Sequence, residues 1–437
     1  MSVFSRMTTW ATILPHEVAV DEGALSRSEV RHGLKLSIVE GMLAQVHISL
    51  TTGAFLTGFA LLLGAGNTTL GIVAALPFLL QPLQLLGAWL VERQGSRKGV
   101  AVVGSFGRMF WLALILLPYL PFTLAQRLVL LVLILFCSHA LLSLCVNAWT
   151  HWMTDLVPPQ LRGRYFSTRN TAGAAVAMVV SYSAGLWLDW ARRSDNAAHG
   201  YAMMLALGVL CAAGATVLLM YQPEPRMVRR ERLSLSAIFT KPWADRDFCR
   251  FMLVGLGWQI ALGIAAPFFG AHALKELKIS FTTLATIDVI IAGISLITLP
   301  LWGRVADRYG HRTILIICML GVIPLPWFWV IATPTSLFWL FINAVLSGIW
   351  WPGLGLAFSN RLMERVPTEA RGVYLALFAA TTGLVYFGAS SLAGVTADAL
   401  QGWQWQMPWG QINHYQVLFL ASGVLRAVVV LGGRKAL

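Results

Sequence analysis

The stretch VPPQLRGRY (Val157 to Tyr165) stands between two long apolar segments, and 209 positions later the chain repeats it as VPTEARGVY (Val366 to Tyr374). Both copies read V-P-x-x-x-R-G-x-Y. The echo runs upstream at the same offset: Ala148-Trp149-Thr150-His151 lies over Ala357-Phe358-Ser359-Asn360, and Asp155 lies over Glu364. An echo of this length implies a polypeptide built from two copies of one unit.

Composition fixes the solvent of those units. The 437 residues are 57% hydrophobic and only 12% charged, with a mean hydropathy of +0.69. A water-soluble fold must present a wetted exterior, and this composition cannot cover one. Lipid is the expected surroundings of most of the chain. Residues 1–33 carry Glu17, Asp21, Glu22, Arg27, Glu29 and Arg31 without an apolar run, and read as a cytoplasmic segment rather than a signal peptide. The five cysteines lack C-x-x-C spacing and read as small packing residues.

A hydrocarbon core of about 30 Å takes about 20 apolar residues per helix. By that ruler spans are expected near 36–63, 69–90, 99–119, 127–154, 166–189, 201–221, 250–273, 282–303, 313–332, 336–362, 373–396 and 415–433. The fold class is therefore an all-α membrane protein with twelve transmembrane helices. The runs are too long, and too poor in alternation, for barrel strands. Basic residues fall mostly in alternate loops: Arg93, Arg97 and Lys98; Arg162 and Arg164; Arg226 to Arg232; Arg304, Arg308 and Arg312; Arg361, Arg365 and Arg371. Placing those loops and both termini in the cytoplasm satisfies the positive-inside bias. The net charge of +13 then reflects topology and anionic lipid, not a nucleic-acid groove. The polar stretch Gln222 to Asp247 divides the chain into six spans and six. The expected organisation is an N-terminal segment (1–33), a six-helix bundle (34–221), a cytoplasmic linker (222–247) and a second six-helix bundle (248–437). Leu233, Ile238 and Phe239 would let part of the linker lie against the membrane face.

The halves also align elsewhere. Gly41, Gln45 and Phe55 meet Gly255, Gln259 and Phe269 at an offset of 214, and spans two and eight both open on Thr-Thr-Leu at Thr68 and Thr282. Their closing loops pair Glu92-Arg93-Gln-Gly95-Ser-Arg97-Lys98 with Asp307-Arg308-Tyr-Gly310-His-Arg312. Here the sequence resembles the major facilitator superfamily. Gly303 to Arg312 fits that family's G-x-x-x-D-R-x-G-x-R loop; the first copy departs from it, with Ala88 at the glycine position and Glu92 for Asp. The resemblance covers residues 34–433. It implies two pseudo-symmetric six-helix bundles that rock about a central cavity. It also implies gating roles for Glu92, Arg93, Arg97, Asp307, Arg308 and Arg312. Arg162 and Arg371 would reach acidic groups or helix C-terminal carbonyls across the interface between halves.

Ionisable groups within spans are costly, by about 2.5–3.5 kcal/mol on insertion scales, so each is a candidate for function. Glu40 and Asp288 are the carboxylates inside predicted spans. Arg108 and Arg169 are the deep basic groups, with Arg108 the expected partner of Glu40. On span one Glu40, His47 and Thr51 share one face, and Gln45, Ser49 and Thr52 another. One face is expected to line the cavity and the other to pack. Gln45 and Gln259 form a candidate symmetric pair across the pore. Of Trp149, Trp152, Trp350 and Trp351, a subset should wall the cavity; Trp351 and Tyr386 are candidate substrate contacts with Glu40, Gln45, His47, Gln259 and Asp288. His139 reads as a packing histidine and His151 as a gate residue. Asp288, about 10 Å into span eight, is a candidate for proton coupling.

The expected function is secondary active transport of a small solute by alternating access, as symport or antiport, in a cytoplasmic (inner) membrane. The protein is expected to be a monomer, with no enzyme activity, catalytic set, resident metal or cofactor, and no nucleic-acid partner. Nothing resembles a Walker loop. Three alternatives stay open: metal-ion transport through His47 and carboxylates, drug or metabolite efflux, and a non-transporting sensor or assembly factor. Drug efflux is weakened because span five lacks a Gly-Pro pair. A membrane enzyme or lipid flippase would want a clustered catalytic set, which the dispersed groups do not supply.

Overall fold

A computed structural model describes residues 25–226, 242–367, 371–407 and 410–437. The expected amphipathic stretch at Leu233, Ile238 and Phe239 and residues 368–370 of the second V-P-x-x-x-R-G copy lie outside them. Among the described residues, eleven helices are long and apolar enough to cross a membrane, and a bent pair makes a twelfth. We number them α1 (Arg27–Thr51 with Gly53–Leu62), α2 (Asn67–Gln94), α3 (Arg97–Tyr119), α4 (Leu124–Leu156), α5 (Pro159–Arg193), α6 (Ala197–Tyr221), α7 (Arg246–Lys275), α8 (Phe281–Tyr309), α9 (His311–Ile331), α10 (Phe338–Glu364), α11 (Arg371–Ala399) and α12 (His414–Gly433). The first helix begins well before its expected start, because the capping box of Ser26 and Glu29 satisfies its N-terminal N–H groups. A short hairpin beyond the sequence expectations, β1 (Gln404–Met407) antiparallel to β2 (Gly410–Asn413), joins α11 to α12.

Each sequence half packs as the other does. Helix α1 lies on α5 and α6 as α7 lies on α11 and α12, and α4 lies on α2 and α3 as α10 lies on α8 and α9. Helix α6 ends at Tyr221, and the long span α7 starts at Arg246.

Breaks in the spans are held by hydroxyls, as hydrocarbon requires of any freed carbonyl. Helix α1 bends by 44° at Thr52, which is extended, and Gly53, whose φ of +59° suits glycine. Thr51 Oγ1 donates to the carbonyl of His47 at 2.6 Å and Thr52 Oγ1 to that of Ile48 at 2.8 Å. Pro352 in α10 cannot donate to Gly348, and Thr298 of α8 supplies the missing bond at 2.7 Å.

The halves meet along α2 against α11, α5 against α8, and the outer segments of α1 and α7. These contacts lie toward the end of the bundle away from the V-P-x-x-x-R-G turns, here called the far end. At the basic end, which carries those turns, the second part of α2 (Leu83–Gln94) packs on α3 and α4 of its own half.

Candidate functional site

A cavity of about 450 Å³ lies between the halves, within the size range of small-molecule sites. Its wall takes Thr51, Thr52 and Thr57 from α1, Pro77 from α2, His139 from α4, Asp288 from α8, Trp329 from α9, Asn343 and Trp351 from α10, and Arg426 from α12. A smaller annex of about 160 Å³ adds Gln45, Ser49 and Ser181, with Asp288 common to both.

The two polar faces of α1 are thereby separated. Gln45, Ser49 and Thr52 line the annex, whereas Glu40 and His47 are buried inside the first bundle. The helical twist sets this choice, and Thr51, at the bend, touches the cavity as well. Glu40 pairs with Arg169 of α5 at 3.0 Å, not with Arg108 as expected. Arg169 also donates to the carbonyl of Ser37 at 3.2 Å and lies over the Trp149 ring at 4.3 Å. Gly41 makes room for it, since a Cβ there would stand 2.7 Å from the guanidinium. Arg108 is buried close enough to feel Glu40, with Nη1 unpartnered among the described residues. His47 contacts the Gly208 carbonyl at 3.2 Å and the edge of Trp111. Both groups therefore hold a bundle together.

Other candidates divide likewise. Trp351 and Asp288 reach the cavity, and so does His139, against its reading as a packing residue. Gln259 is half-buried on α7 and is not a wall residue, so Gln45 and Gln259 do not meet across the cavity. Tyr386 stacks on Phe78 of the other half, ring centroids 4.0 Å apart, and belongs to the interface. Trp152 is fully buried and donates to the Pro223 carbonyl, and Trp350 packs against Trp302. Among the described residues no group of three His, Cys, Asp or Glu could hold a metal ion.

At the far end the halves are tied by two matching clasps. Asp189, at the end of α5, accepts from the backbone N–H of Phe281 and of Thr282, both at 2.9 Å, and from the Thr282 hydroxyl at 2.6 Å. Asp398, at the end of α11, accepts from the N–H of Asn67 at 2.9 Å, the N–H of Thr68 at 2.8 Å and the Thr68 hydroxyl at 2.6 Å. Each carboxylate thus satisfies the orphan donors at the start of a helix in the other half, where the helix dipole also favours negative charge. Close approach depends on a glycine one turn before each aspartate. A Cβ on Gly185 would stand 2.9 Å from the Phe281 carbonyl oxygen, and one on Gly394 would stand 2.7 Å from that of Asn67. The signal lies in the sequence: Gly185-x-x-x-Asp189 and Gly394-x-x-x-Asp398 sit at the same offset of 209 as the V-P-x-x-x-R-G turns. Phe55 stacked on Phe281, and Tyr415 donating to the Asn67 side chain at 2.5 Å, complete the closure.

Comparison with known proteins now bears on this architecture. Residues 248–431 match the family model of the Major Facilitator Superfamily. That match lies in the second half of the chain. The fold matches solved structures over nearly its whole length: a nucleoside transporter, NupG, in a mutant form (TM-score 0.69, 14% identity, 93% of this chain and 99% of that one); a D-xylose–proton symporter (0.66, 18%, 92% and 96%); and a bacterial homologue of the iron transporter ferroportin, in an inward-facing state (0.66, 13%, 94% and 99%). No curated protein matches the sequence.

The loops expected to gate this facilitator fold lie at the basic end and bond within their own halves. Arg97 pairs with Asp155 and donates to the Pro225 carbonyl at 2.8 Å. Arg93, beside Glu92, lies over the Trp89 ring at 5.1 Å. Arg162 donates to the carbonyls of Thr154 at 2.8 Å and Val157 at 3.3 Å, so it caps α4 of its own bundle instead of reaching across. Arg308, next to Asp307, lies over Tyr309, and Arg312 donates to the carbonyl of Arg434 at 2.9 Å. Arg371 is exposed at the start of α11.

Arg426 escaped the sequence reading although it stands in the middle of the last apolar span. A charged residue twelve positions inside such a segment is itself the signal.

Proposed function

We propose that this facilitator is a secondary active transporter of a small organic solute, working as a monomer by alternating access. The observation that supports this most is the asymmetry of the interface. Both clasps and the α2–α11 and α5–α8 contacts close the far end, with no packing of comparable extent between halves at the basic end among the described residues. A mid-depth cavity closed on one side is the arrangement a rocking transporter passes through.

Orientation follows from charge. With the basic loops in the cytoplasm, both termini face inward in an inner membrane, and the conformation is inward-open. Substrate would enter or leave through the basic end while Asp189 and Asp398 hold the outer gate. The loops around Glu92, Arg93, Asp307 and Arg308 would exchange partners across the halves only when the basic end closes. Asp288 is the coupling candidate. It reaches the cavity and its annex, and it makes no ion pair among the described residues. A proton there would be exchanged with cytoplasmic water in this state and with the outside in the other.

The test uses proteoliposomes loaded with a metabolite panel, comparing counterflow with pH-gradient-driven accumulation in the intact protein and in Asp288→Asn. The substitution mimics a permanently protonated carboxyl. Counterflow retained with accumulation lost is the expected result. Unchanged, pH-dependent accumulation removes Asp288 from coupling, and absence of counterflow for every solute removes the transport reading.

A further inference from the structure

Arg426 lies twelve residues from the start of α12, about 18 Å deep at 1.5 Å per residue. Trp351, thirteen residues into α10, and Trp258, twelve into α7, stand at similar depth. The Arg426 guanidinium carbon is 6.0 Å from each of these indole centroids. Its Nη1 donates to the Val322 carbonyl at 3.0 Å, and its Nε has no partner among the described residues. The side chain is only 2% exposed, yet it forms part of the cavity wall. Among the described residues no carboxylate lies within ion-pair distance of it.

That combination is costly for a residue with only a structural task. A guanidinium in mid-membrane demands a counter-charge, and the two aromatic faces offset only part of the cost. The cavity's own carboxylate does not provide it: Asp288 is exposed and about 10 Å from the far end of α8, and it makes no pair with Arg426. Arg169, by contrast, is answered by Glu40, and Arg108 lies within the reach of that same carboxylate. Arg426 is the deep cation that lines the cavity without a carboxylate partner among the described residues.

We propose that the missing counter-charge arrives with the solute: the cavity binds an organic anion whose carboxylate or phosphate-type group meets Arg426, with its apolar body against Trp351 and Trp329. The aromatic and aliphatic wall suits such a body, and the volume suits a single ring with a short acidic side chain. Guanidinium is the side chain best shaped for oxyanions, through paired N–H groups. This inference rests on the transport reading, and it specifies the class of its substrate.

The test is equilibrium binding to the purified full chain in nanodiscs. Radiolabelled phenylacetate is competed by phenylacetate, phenylphosphonate, phenylacetamide and phenethylamine. The expected result is that an acid binds at least tenfold more tightly than the amide or the amine; which acid leads distinguishes carboxylate from phosphate-type solutes. Arg426→Gln should abolish the preference and Arg426→Lys should restore part of it. A structural role would change Tm and affinity for all ligands alike, without changing the acid-to-amide ratio. Trp351→Phe, which keeps the cation, should weaken every aromatic ligand while preserving that ratio. Equal binding of acid and amide, no saturable binding of either acid, or a ratio untouched by Arg426→Gln overturns the proposal. Counterflow of neutral solutes would leave the transport reading standing while this assignment falls.

Discussion

The far end and the basic end use the same chemical device to opposite effect. At the far end Asp189 and Asp398 each cap the first N–H groups of a helix in the other half. At the basic end Glu224, at the start of the linker that leaves α6, accepts from the N–H of Arg97 at 2.6 Å, the N–H of Lys98 at 3.1 Å and the Ser96 hydroxyl at 2.9 Å, all in the bundle it has just left. In each case a carboxylate neutralises the positive end of a helix and fills its orphan donors. The difference is connectivity. A cap that crosses the interface joins two rigid bodies, and one that stays within a bundle stiffens that bundle and leaves it free to move. Arg97, Arg162 and Arg312 follow the second pattern with their own-half partners.

The largest effect should come from removing both crossing caps. Hydrogen bonds to charged groups contribute about 1.5–3 kcal/mol each in net terms, so Asp189→Ala with Asp398→Ala should move the gate equilibrium by at least about tenfold. The readout is thiol labelling of Thr57→Cys, in the α1 segment against which Gly270 packs, with native cysteines replaced. Labelling from the far side should accelerate in the double variant. An unchanged rate would mean that the clasps do not hold the gate.

A smaller and different effect is expected at the other end. Arg97→Gln loses the Asp155 pair and weakens the Pro225 contact. Because those partners lie in the first bundle and the start of its own linker, and not in the other half, the loss should lower Tm by a few degrees, in line with about 1–3 kcal/mol for breaking one partly exposed charged contact. Thr57→Cys labelling should stay at its original rate. A change in that rate would show that the basic-end network couples to the far-end gate in this state.

Much of this contrast was legible in the sequence. Twelve apolar runs, alternate basic loops and the V-P-x-x-x-R-G echo specify the spans, their duplication and the resemblance to facilitators. The bend at Thr52–Gly53 was not legible, because a two-residue break inside an apolar run leaves hydropathy unchanged. Nor does a face analysis of α1 say which stripe looks inward: the burial of Glu40 and His47 within the first bundle shows only once α5 and α6 are in place. The glycine–aspartate echo at 185–189 and 394–398 was present but sat at span ends, where a carboxylate ordinarily meets water. Its meaning depends on which helix start lies opposite, and that is a property of the assembled halves. Arg426 was concealed differently, by strongly apolar neighbours on both sides.

Paired spin-label distances across the two ends read whether the crossing caps hold the far end shut while the basic end stands apart. One pair would join Asn196 to Trp403 at the far end, and the other Gln94 to Tyr309 at the basic end, both measured in nanodiscs without solute. A single narrow distance is expected at the far end and a longer, separated one at the basic end, with the Asp189→Ala/Asp398→Ala protein gaining a second, longer far-end distance as its basic-end distance shortens. Far-end distances that stay fixed in the double variant, or that lengthen without any change at the basic end, would contradict it.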